Sequence, residues 1–214
     1  MNNYSEKTAK ILLDIKAVSF NAKKPFRYSS GILSPIYTDC RLLISNPNER
    51  RKIRDFYIKA LTQFGPFDVI AATATAGIPH AAWIADKLKL PMIYVRGKSK
   101  DHGKGNQIEG CLSKKQKVAV IEDLISTGGS SVETVRAIRK EGAKSSYIFS
   151  IITYGMKKSY ENFKTNNIKL ISLTDFTTVV KVAEQIGYIK FKDKSAILQW
   201  AKDPVSWGKK MGFE

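Results

Sequence analysis

Short apolar runs alternate with longer segments of helical periodicity along most of this chain. One run, residues 118–121, holds four apolar residues between polar ones, which is too short for a helix and typical of a buried parallel strand. The segment after it places Val132, Val135 and Ile138 on one helical face, and Gly142 stops it. Alternation of this kind predicts βαβ units that build a parallel sheet.

The remaining elements follow from the same two periodicities. Helical spacing of apolar residues predicts helices at 5–18, from Asn46 to the stop at Gly65 and Pro66, at 79–88, at 130–141, and from a cap at Thr174 to Gly187. Short apolar runs predict strands at 68–72, 91–95, 117–121, 145–153 and 169–173. Turn and strand signals in 26–39 predict two short strands of a small hood.

We therefore expect an α/β fold in which a central parallel sheet is flanked by helices and carries a small N-terminal hood. The expected division is an N-terminal helix and hood at 1–45, a core at 46–189, and a C-terminal helical tail at 190–214 packed on the core. Trp200 and Trp207 in that tail are interpreted as packing residues. In a sheet of this kind, ligands bind beyond the carboxyl ends of the strands.

Length and composition narrow the class of protein. At 214 residues with 43% hydrophobic content, the chain can bury a substantial core. No apolar run approaches the ~18 residues of a membrane span, and the first residues lack the basic start and apolar middle of a signal peptide. Cys40 and Cys111 match no metal or disulfide spacing, which favours a reducing cytoplasm.

The formal net charge of +17 predicts attraction to polyanions, either phosphorylated small molecules or nucleic acid. The basic residues are scattered, and the chain has no helix-turn-helix signal, zinc-finger spacing or aromatic motif for single strands. We therefore expect a small phosphorylated ligand and no nucleic-acid or membrane partner.

The candidate chemistry begins directly after the central apolar run. Two adjacent carboxylates, Glu122 and Asp123, stand where the strand is expected to end, and residues 126–130 (Ser-Thr-Gly-Gly-Ser) lead into a helix. Glycines, hydroxyls and a helix N-terminus together favour an anion such as phosphate. The carboxylates would repel a phosphate, but two adjacent acceptors suit the vicinal hydroxyls of a ribose. The alternative is an ordinary turn with two solvated acids.

This loop is not an ordinary nucleoside-triphosphate loop. It lacks the Gly-x-x-x-x-Gly-Lys-Ser/Thr pattern, and Gly97-Lys98-Ser99 is only a near match because Met92 occupies the position of the first glycine.

Two further loops follow predicted strand ends and should meet the first at one pole of the sheet. Residues 73–77 are small and precede a helix, which suits close approach to pyrophosphate, although a tight packing turn explains them equally well. Residues 96–110 carry four basic groups, His102 and four glycines, and almost no apolar residue. We interpret this segment as a cationic loop that closes over a phosphate, and the alternative is a solvated surface loop.

These residues resemble a known family. The apolar run, the two acids and the Thr-Gly-Gly-Ser turn resemble the phosphoribosyl-pyrophosphate (PRPP) motif of type I phosphoribosyltransferases. Residues 100–103 (Lys-Asp-His-Gly) resemble the catalytic loop of the orotate phosphoribosyltransferases. The resemblance covers most of the chain: 26–39 resembles the orotate-contacting hood, 72–80 the pyrophosphate loop and 118–131 the PRPP loop.

The resemblance implies site residues by position. Lys100, His102 and Asp123 would be catalytic. PRPP contacts would come from Thr75, Arg96, Lys98, Lys100, His102, Glu122, Asp123, Leu124, Ile125, Ser126, Thr127, Gly128, Gly129 and Ser130. Orotate contacts would come from Ser29, Tyr37, Thr38 and Ser126. Mg²⁺ is the implied cofactor, held mainly through PRPP and without a cage of protein ligands. The family's loop serves the neighbouring subunit, which implies a homodimer.

The chain departs from the family pattern at four positions. Gly97, Ala76 and Ser29 stand where many members carry lysine, and Tyr154 stands where many carry arginine. The implied reaction transfers ribose 5-phosphate from PRPP to orotate, giving orotidine 5′-monophosphate and pyrophosphate, a step of pyrimidine biosynthesis. Two rival hypotheses stay open: a PRPP-sensing regulator that binds nucleic acid, and a phosphoribosyltransferase for purine bases.

Overall fold

The structure is a computed structural model that describes residues 4–28, 31–97 and 107–213. Its helices are α1 (Ser5–Asp14), α2 (Pro47–Phe64), α3 (Gly77–Leu88), α4 (Gly129–Lys140), α5 (Lys157–Thr165), α6 (Phe176–Gln185), α7 (Phe191–Lys202) and α8 (Pro204–Lys210). Its strands are β1 (Val18–Phe20), β2 (Phe26–Arg27), β3 (Leu33–Ser34), β4 (Ile36–Thr38), β5 (Val69–Thr73), β6 (Met92–Val95), β7 (Ile108–Glu109), β8 (Lys117–Ile125), β9 (Lys144–Thr153) and β10 (Lys169–Asp175). A 3₁₀ helix, Cys40–Ser45, joins β4 to α2.

A six-stranded sheet forms the centre of the molecule, with strand order β10-β9-β8-β5-β6-β7. The first five strands in that order are parallel, which confirms the predicted parallel sheet. The edge strand β7 pairs antiparallel with β6 and was not predicted, because two residues carry almost no periodic signal.

Helices cover both faces of this sheet. Ile70 and Ile121 belong to the core on one face, to which α1, α2, α3 and α6 contribute. Ala71 and Val120 belong to the core on the other face, together with apolar residues of α4 and α5. Successive strand residues therefore alternate between two apolar layers, which is why the central strands are apolar throughout rather than alternately polar.

The hood consists of two small antiparallel pairs, β1 with β4 and β2 with β3. The C-terminal tail packs against it, since the indole Nε1 of Trp200 donates to the carbonyl oxygen of Leu33 at 3.0 Å. Trp207 donates to the carbonyl of Ala196 at 2.9 Å, so both tryptophans are buried with their polar atoms bonded. This confirms their interpretation as packing residues, and it makes the tail a support for the hood.

Several element boundaries differ from the prediction. Helix α1 ends at Asp14 instead of residue 18, because Lys16 adopts a left-handed φ of 59° and the chain turns into β1. The hood contains four short strands where two were predicted. The cap of α6 is Asp175, whose carboxylate accepts from the Thr178 N–H at 2.9 Å, whereas Thr174 is a buried residue of β10. Helix α5 was missed because its sequence is mostly polar.

In the part of the chain that the structure describes, no helix is both long enough and apolar enough to cross a membrane.

Candidate active site

The candidate site lies at the carboxyl ends of β5 and β8, which are neighbours in the sheet. Their connections leave in opposite directions, since β5 leads through α3 to β6 and β8 leads through α4 to β9. Divergence of this kind opens a crevice at the strand ends, where open α/β sheets bind ligands. The loop 74–76, with Thr75 exposed, lies on one side of the crevice, and the loop 126–128 lies on the other.

The two acids lie near the C-terminal end of β8, the central strand. Strand β8 continues to Ile125, so the prediction that the strand ends before the acids was wrong. The Ser131 hydroxyl donates to Oε2 of Glu122 at 3.0 Å, and the backbone N–H of Asp123 donates to Oε1 at 3.2 Å. The Leu124 N–H donates to Oδ1 of Asp123 at 2.7 Å. Both carboxylates are therefore held by short-range hydrogen bonds at the base of the crevice.

Burial changes the protonation of this acid pair. Glu122 is only 5% exposed, and burial followed by the charge of Asp123 raises its pKa from 4.5 to about 8, against the lowering effect of the Ser131 hydroxyl. Burial also raises the pKa of Asp123, although hydrogen bonds from its neighbours and the charge of Arg41 oppose the rise. A ligand that brings hydroxyl donors or positive charge would stabilise the ionised pair.

The loop between β8 and α4 is held from behind by α5. Gly128 caps α4 with a left-handed φ of 76°, and a Cβ there would lie 2.5 Å from the ring of Phe163. Asn162 donates through Nδ2 to the carbonyl of Thr127 at 2.9 Å. A Cβ on Gly129 would meet nothing within 4 Å, so the outer side of the loop is open. The loop thus presents the first N–H groups of α4 to a ligand, as phosphate sites commonly do.

The N-terminus of α3 approaches the same crevice from the other side. A Cβ on Gly77 would lie 2.6 Å from the carbonyl oxygen of Ile121, so only glycine lets this helix start against β8. The Ala74 N–H donates to the Val95 carbonyl at 3.0 Å, which ties the loop to β6, and the Ala74–Thr75 peptide is cis. The backbone of Thr75 is held as well, since the Ile78 N–H donates to its carbonyl at 3.2 Å.

The cationic loop is described only at its two ends. The Arg96 N–H donates to the Gln107 carbonyl at 2.9 Å, and Nε2 of the Gln107 side chain donates to the Arg96 carbonyl at 2.8 Å. The Arg96 guanidinium pairs with Glu109 at 3.4 Å. The predicted contacts Lys98, Lys100 and His102 lie outside the described residues, as does Ser29 of the hood.

The hood places its predicted base contacts on β4. Tyr37 is 42% exposed and contacts the ring of Phe26, and Thr38 is half-buried beside it. Tyr28 donates through its hydroxyl to the Ile36 carbonyl at 2.8 Å, and that hydroxyl lies 3.3 Å from the Tyr154 hydroxyl.

Tyr154 joins the hood to the site loop and to the tail. Its backbone N–H donates to the carbonyl of Ile125 at 2.9 Å, and its ring packs edge-on against Trp200 at 5.3 Å. Tyr154, at the position where arginine is common in the family, therefore serves here as a buried support.

Sequence reasoning missed several residues that shape this site. The hydroxyl of Tyr57 donates to the backbone carbonyl of Glu122 at 2.6 Å, and Ser131 holds the Glu122 carboxylate. Both residues lie on helices. The periodicity of apolar residues predicts such a helix, but it does not show which polar side chains of the helix point towards the site. Asp39 and Arg41 form a bidentate ion pair at the start of the 3₁₀ helix, and their spacing in the sequence is a weak signal.

The raised pKa of Glu122 predicts how stability varies with pH. Since its pKa is higher in the folded protein than in the unfolded chain, unfolding releases a proton between about pH 4.5 and pH 8, and stability falls as the pH rises through this window. The parent protein should lose this stability and Glu122→Gln should not. We therefore expect the unfolding free energy of Glu122→Gln minus that of the parent protein to increase as the pH is raised from about 5 to about 8. Urea unfolding at both pH values measures this change.

The control for this measurement is Glu133→Gln, which removes an exposed carboxylate of α4. A stability difference between Glu122→Gln and the parent protein that stays constant across the pH window contradicts the assignment of a raised pKa.

Comparison with known proteins agrees with this geometry. The family model described as "Phosphoribosyl transferase domain" matches residues 43–185. A curated orotate phosphoribosyltransferase of Enterococcus faecalis is 49% identical over 210 residues, covering 98% of this chain and 100% of that protein.

Two solved structures have the same fold. Orotate phosphoribosyltransferase from Aeropyrum pernix aligns with a TM-score of 0.74 and 27% identity, covering 85% of this chain and 99% of that one. UMP synthase of Leishmania donovani aligns with a TM-score of 0.77 and 25% identity over 92% of this chain, which spans only 42% of that longer protein. The chain therefore belongs to the phosphoribosyl transferase family and, within it, to the orotate phosphoribosyltransferases.

Proposed function

We propose that this chain transfers ribose 5-phosphate from PRPP to orotate, and that the acid pair at the end of β8 is the centre of the reaction. The observation that carries this proposal is the position of the buried Glu122 and the half-buried Asp123 where the connections of β5 and β8 diverge, directly before a loop that leads into a helix N-terminus. A site with this order of groups suits a ribose that carries a phosphate at one end. The name of the E. faecalis relative supports orotate as the acceptor.

The acids act on the ribose. In the reaction, the bond from C1′ to pyrophosphate breaks and a bond from C1′ to N1 of orotate forms, through a transition state with positive charge on the ribose. Glu122 and Asp123 accept hydrogen bonds from the ribose hydroxyls, and their negative charge favours the cationic ring. The Ser131 hydroxyl keeps the Glu122 carboxylate in one orientation while this charge develops.

The two ends of PRPP are held by different groups. The 5′-phosphate binds the loop from Leu124 to Ser130, where the N–H groups at the start of α4 favour negative charge. Pyrophosphate leaves towards Thr75 and the N-terminus of α3. Arg96 contacts it, and the positions of Lys98, Lys100 and His102 in the sequence support the same role for them.

Mg²⁺ fits this donor set as a cation carried by the substrate. Two adjacent carboxylates are present, and no group of three or more acidic, histidine or cysteine residues suited to a metal occurs in the described ranges. Mg²⁺ bound to PRPP and water would contact the protein at most through Asp123, and it would supply positive charge at the leaving pyrophosphate. The carboxylates themselves act on the ribose whether or not they touch the ion.

The hood receives the base. Tyr37 offers an exposed ring against which a planar pyrimidine can stack, and Thr38 lies beside it. Ser126, at the start of the site loop, is half-buried, and we assign it to contact both the base and the ribose; Ser29 is a proposed contact from the resemblance alone. The free cysteines Cys40 and Cys111 suit a reducing compartment, so we place this activity in the cytoplasm. The product, orotidine 5′-monophosphate, places the reaction in pyrimidine biosynthesis.

A substrate panel tests the activity. We expect the protein with PRPP and Mg²⁺ to consume orotate, and not adenine, guanine or hypoxanthine. Asp123→Asn should lower kcat/KM by about 10- to 1000-fold, the range expected for loss of one preorganised charge. Asp86→Asn, on the exposed face of α3, is the matched control. Consumption of a purine base instead of orotate, or an Asp123→Asn enzyme as active as the control, would refute this function.

We also propose a homodimer in which the loop 96–110 of one subunit serves the site of the other. Mixing Lys100→Ala with Asp123→Ala then gives hybrid dimers with one intact and one doubly damaged site. With statistical mixing, activity should return to about a quarter of the parent value, because twofold symmetry makes the two sites equivalent. Each variant mixed with itself is the control. Verified subunit exchange without recovered activity contradicts the shared site.

A further inference from the structure

We propose that Arg41 determines the preference for orotate by binding its carboxylate. This inference rests on the proposed function, since it assigns a residue to the recognition of the acceptor base.

The chemistry of the acceptor requires a cation near the acids. Orotate carries its carboxylate on C6, the ring atom next to the N1 atom that attacks C1′ of the ribose. When the ribose hydroxyls lie on Glu122 and Asp123, that carboxylate must therefore lie within a few bonds of the acid pair. A carboxylate entering a crevice lined by buried acids is repelled unless a positive charge compensates for it.

The 3₁₀ helix of Arg41 follows β4, the proposed base-binding strand of the hood, and it contacts β8, the strand that carries the acids. Arg41 lies four residues after Tyr37, on the 3₁₀ helix that packs against β8. Its neighbour Cys40 is 1% exposed and turned inward, and burial, followed by the charges of Asp123, Asp39 and Glu122, raises the pKa of that thiol. The chain thus packs against the strand of the acid pair at this point.

The charge of Arg41 acts on both neighbours of the expected base. It opposes the burial-driven rise in the pKa of Asp123, and the pKa of Arg41 is itself raised first by Asp39 and then by Tyr37 and Asp123. The same arrangement follows from the chain itself, because the 3₁₀ helix of Arg41 begins directly after β4 and contacts β8.

The guanidinium is held in place but keeps donors for a ligand. Asp39 accepts from Arg41 Nε at 2.6 Å and from Nη2 at 2.9 Å, and it also accepts from the Arg41 backbone N–H at 3.1 Å. These side-chain bonds occupy two of the five N–H donors of an arginine. The remaining three find no partner among residues 4–28, 31–97 and 107–213, and the side chain is 62% exposed.

The pair of Asp39 and Arg41 differs from an ordinary surface ion pair because it fixes the orientation of the guanidinium. Isolated exposed pairs contribute little to stability, and this one orients a planar donor face that matches a carboxylate. Arg54 provides the comparison, since it pairs with Asp55 through Nε and Nη2 at 2.9 and 2.7 Å on α2. Arg54→Gln removes a similar pair, and our assignment gives it no part in the site.

The test compares Arg41→Gln, Arg41→Lys and Arg54→Gln. At saturating PRPP, Arg41→Gln should raise the KM for orotate by about 10- to 100-fold, the effect of losing a charge-assisted pair of hydrogen bonds. Arg41→Lys should recover part of the loss, and Arg54→Gln should behave as the parent protein. The dissociation constant for PRPP should change less than about threefold in every variant, because the phosphate loops are untouched.

A neutral analogue separates recognition from structure. Methyl orotate has the shape of orotate without the negative charge, and its inhibition constant should rise much less than the KM for orotate in Arg41→Gln. Equal losses for orotate and its ester, a matching loss of PRPP affinity, or an orotate KM like that of Arg54→Gln would each overturn the assignment of Arg41. If the parent protein consumes no orotate at all, the proposed function fails instead.

Discussion

Two adjacent carboxylates near the end of the central strand, one buried and one half-buried, are the constraint on which the rest of this site depends. Burial of Glu122 and Asp123 disfavours their ionised forms, so the empty protein carries a free-energy cost that a suitable ligand can relieve. The acids lie where the connections of β5 and β8 diverge and open a crevice, so a ligand can reach them there. A ribose with two hydroxyl donors and developing positive charge is a ligand that relieves it.

The surrounding elements keep the acids fixed from several directions. Tyr57 bonds the Glu122 backbone from α2, Ser131 bonds its carboxylate from α4, and Gly77 lets α3 begin against the same strand. Helix α5 supports the phosphate loop through Asn162 and Phe163. Groups held in this way need little reorganisation when the ligand arrives, which is the property that electrostatic catalysis requires.

The hood is connected to this centre through aromatic and ionic contacts. Tyr154 links the end of the phosphate loop to Tyr28, and Trp200 of the tail bonds the hood backbone. The ion pair of Asp39 and Arg41 lies at the start of the 3₁₀ helix, which leads from the hood and contacts β8. The groups proposed to bind the base and the ribose therefore belong to parts of the chain that are far apart in sequence but are joined by these contacts.

The sequence predicted the parallel sheet well because it depends on local patterns, and the same patterns singled out the acid pair as the candidate site. An apolar run followed by two acids and a glycine-rich turn identifies the strand, the loop and the helix start without any long-range contact. Ser131, Tyr57 and α5 could not be predicted, since their roles depend on which side chains the fold turns inward. Arg41 was missed for the same reason: the packing of its 3₁₀ helix on β8, the strand of the acids, is a long-range contact.

The central claim, that the acid pair binds the ribose hydroxyls, is tested most directly by removing each partner in turn. Dissociation constants for ribose 5-phosphate and 2-deoxyribose 5-phosphate would be measured with the parent protein, Glu122→Gln and Asp123→Asn. If a carboxylate accepts from the 2-hydroxyl, the loss of that hydroxyl and the loss of that charge should be coupled by about 1.5–3 kcal/mol for at least one acid. Effects that add within about 0.5 kcal/mol for both acids would contradict the account.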